Sequence, residues 1–188
     1  LNFSTLEAHW SSRAYSRAVV LVALVVSLLV LVVVGRAILI HWSPQRQLEL
    51  KQEGFIKALE KHNGKKLLPY LATDYMDQWE FDRDDAVLAV SDVGSHFMIL
   101  TVSAFDVDYR VEGRQAVVKS KLQLSGSGSP VANEVIRVVN RQPKAFVFTW
   151  KRQSFWPGSW RVVRIEHPGL PVDLYGYRPG DLKKMLEE

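Results

Sequence analysis

An α+β domain carried behind a single membrane-spanning helix is the fold class this chain predicts, and three observations predict it. Residues 18–35 read AVVLVALVVSLLVLVVVG without a charge. Apolar residues then recur at helical spacing from residue 44 to residue 97. From Ile99 onward the period becomes two, the mark of half-buried strands. The expected order is therefore a transmembrane helix, three further helices, and a curved antiparallel meander.

At a 1.5 Å rise per residue, the apolar run covers about 27 Å, close to the ~30 Å hydrocarbon thickness of a bilayer. AILI continues it beyond Arg36 and His41-Trp42 ends it, so the span is placed at 18–42 behind a tail of residues 1–17. Arg36 then lies near one membrane face, where its stem can snorkel, and Trp42 has the character of an interfacial anchor. A cleavable signal would have an apolar region of about 7–15 residues and a small-residue cleavage site. Here the run is longer, and Arg36 with ILIHW follows it. The chain opens on Leu1 rather than Met, which implies processing or a preceding segment. With no acid or histidine between residues 18 and 40, the span offers no ion or proton path. Arg13 and Arg17 on one side and Arg36, Arg46 and Lys51 on the other give no decisive orientation. The expected location is the inner (cytoplasmic) membrane, single-pass, with the soluble domain periplasmic or extracytoplasmic.

Cysteine is absent, which excludes disulfides, thiolate-held zinc or iron–sulfur clusters, a cysteine nucleophile and covalent haem attachment. Only three of the 24 basic and one of the 20 acidic residues fall in the first 44, so the remainder is nearly balanced. That balance, with the basic residues dispersed, argues against a nucleic-acid partner.

Pro44 suits the first turn of a helix whose face carries Leu48, Phe55, Ile56 and Leu59, and Asn63-Gly64 is expected to stop it. KKLLPYLATDY is expected as a second short helix through Leu67, Leu68 and Leu71. Asp82 caps the third, with Asp84 and Asp85 beside its positive end and Val87, Val90, Val93 and Phe97 at helical spacing. Strands are placed at 103–112, 115–124, 145–153 and 159–166. Phe105, Val107, Tyr109 and Val111 face inward on the first, Phe146, Phe148 and Trp150 on the third, and Val163 on the fourth. SGSGSP reads as a flexible loop and NEVIRVVNR as a strand or short edge. The soluble domain occupies 43–167. Residues 168–188 are a Pro/Gly-broken tail too apolar for solvent, expected to dock on a neighbouring subunit.

ALEKHNGKKLLPYLATDY, through Leu68, Leu71, Ala72, Asp74 and Tyr75, resembles the opening of a nuclear transport factor 2-like domain, and the element order over 46–167 fits. The resemblance implies a cone: helices laid on a strongly bent antiparallel sheet. With a span ahead of it, the plan is similar to inner-membrane assembly factors of type IV secretion. The fold hosts dehydratases, isomerases and interaction modules, so function has to rest on a site.

Enzymes of that superfamily place an Asp or His base, often with Tyr partners, inside the cone. Here the groups are His62, His96, His167, Asp74, Asp92, Tyr70, Tyr75 and Tyr109, and nothing in the sequence brings them together. His62 suits a helix end, where a cation meets the dipole. His96 ends the third helix, from where a side chain can reach the cone. His167, before Pro168-Gly169, reads as a surface residue. Asp82, Asp84 and Asp85 have a sufficient role in capping, and Asp106 and Asp108 share a solvated face. No phosphate loop, nucleophile elbow or zinc-protease motif occurs. No catalytic, cofactor or metal residue is therefore assigned.

Trp156 at a turn, with Leu174, Tyr175 and Tyr177 in the tail, are the expected partner contacts. The expected function is a non-catalytic scaffolding subunit of a bacterial membrane complex, its partners other subunits and the lipid bilayer. The alternative is a membrane-anchored enzyme or small-ligand binder using the cone. A filled cone would favour the scaffold; a pocket holding His96 near Tyr70, Tyr75 or Tyr109 would favour the alternative.

Overall fold

The computed structural model describes residues 19–37, 43–156, 158–173 and 176–182, and the chain divides into two units, Leu1–Ser43 and Pro44–Glu188. The first contains helix α1 (Val19–Ala37), whose 19 residues are long and apolar enough to cross a membrane, with Arg36 exposed near its end. Trp42 lies outside the described residues.

In the second unit, α2 (Pro44–Leu59) buries Leu48, Phe55 and Ile56, as the spacing predicts. It ends before Asn63. The chain turns through His62 in the left-handed region, and the Asn63 side chain accepts from the Lys65 N–H to start a 3-10 turn, Gly64–Leu67. Asn63-Gly64 thus opens an element instead of closing one. Gly64 is required there: its N–H donates to Ser91 Oγ at 2.9 Å, and a Cβ would sit 1.8 Å from the Val87 carbonyl oxygen.

The helix expected over KKLLPYLATDY is reduced to that turn, because Pro69 has no N–H to carry it on past Leu68. Beyond Pro69 the backbone runs alongside the last strand. Val162 N donates to Tyr70 O at 2.8 Å, Ala72 N to Val162 O at 2.9 Å, and Gln78 N to Ile165 O at 3.1 Å. Helix α3 (Arg83–Gly94) is capped as expected, with Asp82 Oδ1 accepting from Asp84 N at 2.8 Å and Asp85 N at 2.9 Å.

Strands β1 (Phe97–Glu112), β2 (Gln115–Gly128), β3 (Phe146–Arg152) and β4 (Trp160–Glu166) form one antiparallel sheet in the order β1-β2-β3-β4. β1 and β2 are longer than expected because SGSG is strand, with Ser125, Gly126, Ser127 and Gly128 pairing along Phe97–Thr101. Those glycines serve close approach rather than flexibility. A Cβ on Gly126 would lie 2.1 Å from Ile99 O, and one on Gly128 2.1 Å from His96 O.

The segment expected as a strand is instead helix α4 (Pro130–Asn140), with Pro130 in its first turn and Ala132, Val135 and Val139 on one face. At its end Asn140 behaves like a strand partner: Leu124 N donates to Asn140 Oδ1 at 2.7 Å, and Asn140 Nδ2 donates to Leu124 O at 2.8 Å.

Two bulges reset the inward faces. Phe105 pairs with Lys121 but Asp108 with Lys119, so β1 carries one extra residue around Asp106, whose φ is +52°. Leu100, Val102 and Ala104 point inward before the bulge and Tyr109 and Val111 after it. Phe105 and Val107, expected inside, are 42% and 36% exposed. In β4, Thr149 pairs with Arg164 and Trp150 with Val162, so Val163 is the surplus residue and only half-buried while Val162 is fully buried.

The tail packs on its own domain. His167 is fully buried, its Nδ1 accepting from Gly169 N at 3.1 Å and its Nε2 3.1 Å from Lys144 O, which assigns the neutral Nε2–H tautomer. The surface position expected for it does not hold. Gln78 Nε2 donates to His167 O at 3.1 Å, and Trp79 Nε1 donates to Pro171 O at 3.0 Å.

Candidate functional site

The concave face of the sheet is not filled. A cavity of about 380 Å³ lies inside the domain, walled by Ala86, Ala89 and Val90 of α3, Leu100, Leu122 and Phe146 of the sheet, and Val135 and Val139 of α4. Tyr177 of the tail and the 75–81 segment complete it. Its surface is almost wholly apolar, and it stays open because α3 presents Ala86, Ala89 and Val90 where larger residues would close the gap.

The polar groups on the wall are His62, Tyr75, Asp77, Trp79 and Tyr177. Asp77 is buried, yet its oxygens are occupied. Oδ1 accepts from Trp79 N at 2.9 Å and Phe81 N at 3.0 Å, and Oδ2 accepts from the Tyr75 hydroxyl at 3.3 Å. Burial pushes the Asp77 carboxyl above the usual carboxylate range, against the lowering effect of those three donors. Burial, then the Asp77 charge, raises Tyr75 far above its ordinary value and keeps it a donor. Tyr177 is also raised by burial and by its bond to Asp92.

The sign of the Asp77 shift gives a test. An acid whose folded-state pKa is raised stabilises fully only below its unfolded value of about 3.9, and stability falls as pH climbs through the folded value. Asp77→Asn keeps an oxygen for Trp79 and Phe81 and offers N–H to the Tyr75 oxygen. It should flatten the fall in urea midpoint above about pH 4 and leave stability at pH 7 unreduced. Asp77→Ala strands two N–H groups and should cost about 1–3 kcal/mol.

His96 is buried but does not line the cavity; its Nδ1 lies 2.9 Å from Ser129 Oγ at the start of α4. His62 does line it. Asp74 is exposed and paired with Lys151 at 3.5 Å, while Tyr70 stands edge-on to Phe55. Tyr109 is half-buried, its pKa raised by burial and by Glu49 and Glu53.

Asp92, near the end of α3, accepts at Oδ2 from the Tyr177 hydroxyl at 2.8 Å, Gly180 N at 3.1 Å and Leu182 N at 3.2 Å. Tyr177, expected on a partner, is thus engaged within its own chain. Leu174 and Tyr175 lie outside the described residues, and Trp156 is exposed. Of the groups the superfamily pattern brings forward, the structure brings His62 and Tyr75 to the cavity wall, without His96, Tyr70 or Tyr109. The residues sequence reasoning missed are Asp77 and the α4 valines. For the valines the available signal was a proline opening a helical run; for Asp77 the sequence carried none.

No protein-family model matches the sequence, and no curated protein matches it. Among solved structures, the chain is similar to Bd1075 of Bdellovibrio bacteriovorus at 11% identity and a TM-score of 0.49, covering 64% of this chain and 40% of that one. This chain thus spans less than half of that protein. It is also similar to a nuclear transport factor 2-like protein from Cytophaga hutchinsonii, at 16% identity and a TM-score of 0.45, covering 64% and 94%. A nuclear transport factor 2-like superfamily protein from Salmonella enterica is 11% identical with a TM-score of 0.48, covering 65% and 87%. At these values the likeness carries nothing about function. The α+β fold rests on the strand order, register and helices described above.

Proposed function

We propose that this chain is a membrane-tethered binder of an apolar small molecule, held in the cavity of its α+β domain. The carrying observation is the cavity itself. About 380 Å³ falls in the 300–1,000 Å³ range of small-molecule sites, and its walls come from every layer of the domain. Its wall acid and tyrosines are already engaged, Asp77 with Tyr75 and Tyr177 with Asp92, which favours binding over acid–base chemistry. In this reading α1 anchors the chain in a bacterial inner membrane, with the domain on the extracytoplasmic side.

Ala86→Phe should fill the cavity from α3. Purified full-length chain, organic extraction and mass spectrometry should yield an apolar compound in near-stoichiometric amount from the parent chain and a severalfold smaller amount from the variant. Equal yields, or none from either, would overturn the reading.

A second reading, the scaffolding subunit of a membrane complex similar in plan to type IV secretion assembly factors, has its own support. Edge strand β1 exposes Met98 at 81% and Ile99 at 63%, an apolar border suited to a protein partner.

A further inference from the structure

The β3–β4 hairpin ends in two large aromatic side chains that the domain does not use. Phe155 is 77% and Trp156 61% exposed, their rings stacked at 5.2 Å between centroids. The described backbone on either side of them is hydrogen-bonded. Gln153 N donates to Ser159 O at 3.0 Å, Ser159 Oγ to Ser154 O at 2.7 Å, and Ser159 N to Trp156 O at 3.3 Å.

Cations collar the tip. Arg152 Nη2 donates to Phe155 O at 2.6 Å, Arg114 Nη2 to Gln153 O at 3.2 Å, and Arg161 Nη1 to Gly158 O at 3.2 Å. Lys51 stands beside Gly158, where an added Cβ would meet its Cε at 3.3 Å. Among the described residues none of these four forms an ion pair with a carboxylate. Burial first, and then the Arg161 charge, hold the Lys51 ammonium below its ordinary value.

Connectivity supplies the second, independent observation. Gly158 N donates to Gln47 Oε1 at 3.3 Å, so the tip lies against the first turn of α2. Seven residue steps separate Ala37, the end of α1, from Pro44, the start of α2. Seven steps of extended chain reach at most about 25 Å. The start of α2 is thus joined to the end of α1 by at most about 25 Å of chain, and the aromatic tip packs on that first turn of α2.

We propose that Phe155 and Trp156, with Lys51, Arg114, Arg152 and Arg161, form a second membrane contact that enters the anionic headgroup region of the bilayer crossed by α1. Stacked aromatics favour the headgroup level, and cations around them favour anionic lipid. The contact fixes the domain's attitude on the membrane, which one helix and a short linker alone do not. It rests on α1 as a span and is independent of what the cavity holds.

The chain has no cysteine, so single labels need no background removal. Full-length Phe155→Cys and, as control, Asn133→Cys on exposed α4 would carry an environment-sensitive fluorophore in nanodiscs of phosphatidylcholine and phosphatidylglycerol. The label at 155 should be blue-shifted, quenched by lipids brominated near the headgroup and severalfold less open to iodide than the label at 133. Omitting phosphatidylglycerol, or changing Arg152 and Arg161 to Gln, should reduce the difference. Equal behaviour at both positions would overturn the proposal. So would protection at 155 in native membranes but not in nanodiscs, which would mean that a protein covers the tip. Failure of the chain to enter nanodiscs would overturn the span, and with it this contact.

Discussion

Trp150→Ala should destabilise the domain by about 3–5 kcal/mol, the range for removing a fully buried large aromatic. Trp150 is fully buried in the middle of β3, pairs with Ala116 on one side and Val162 on the other, and meets the edge of Phe55 at 6.2 Å between ring centroids. Its Nε1 donates to Gln52 Oε1 at 3.0 Å, a bond from the sheet to the buried face of α2. Truncation therefore opens a void and also leaves a buried amide oxygen without its donor, two costs that add. Urea unfolding of the full chain in detergent would measure it. Val163→Ala in the same strand layer should cost far less, because the β4 bulge leaves Val163 half-buried. Similar losses at the two positions would contradict the register described here.

Deleting residues 168–188 should also be severe, on the order of 3 kcal/mol, since hydrogen bonds to a charged group contribute about 1.5–3 kcal/mol each and rarely add in full. The deletion removes three donors from Asp92 and the Pro171 carbonyl that accepts from Trp79. It also uncovers Phe81, against which Tyr177 stands edge-on at 6.4 Å, and removes Tyr177 from the cavity wall. Asp92→Ala should reproduce a large part of the loss. Hydrogen exchange would localise both effects to α3 and the 75–81 segment. A deletion variant as stable as the parent would restore the docking-arm reading of the tail.

Much of the molecule was legible from the chain alone, wherever neighbouring residues settle the outcome. The apolar run fixes a helix long enough to cross a membrane, because eighteen uncharged residues leave no polar face to bury. Asp82 ahead of Asp84 and Asp85 marks the start of α3, because a side-chain oxygen there satisfies N–H groups two and three residues on. Alternation in AFVFTWK fixes the inward face of β3, with Phe148 and Trp150 buried, because successive side chains leave a strand on opposite sides.

Tertiary structure decided the rest, and each case turns on a partner distant in sequence. SGSG looks flexible until β1 lies against it so closely that side chains at Gly126 and Gly128 have no room. Phe105 and Val107 continue the alternation in sequence, yet one surplus residue at Asp106 turns them outward, and only pairing with β2 reveals it. His167 borders, and Tyr177 sits in, a Pro/Gly-rich tail with no periodicity to place them. His167 is buried beside Lys144 and Tyr177 half-buried against Asp92, partners 23 and 85 residues away. The cavity has no local signal at all, because empty space is set by what α3, α4 and the sheet jointly leave unfilled.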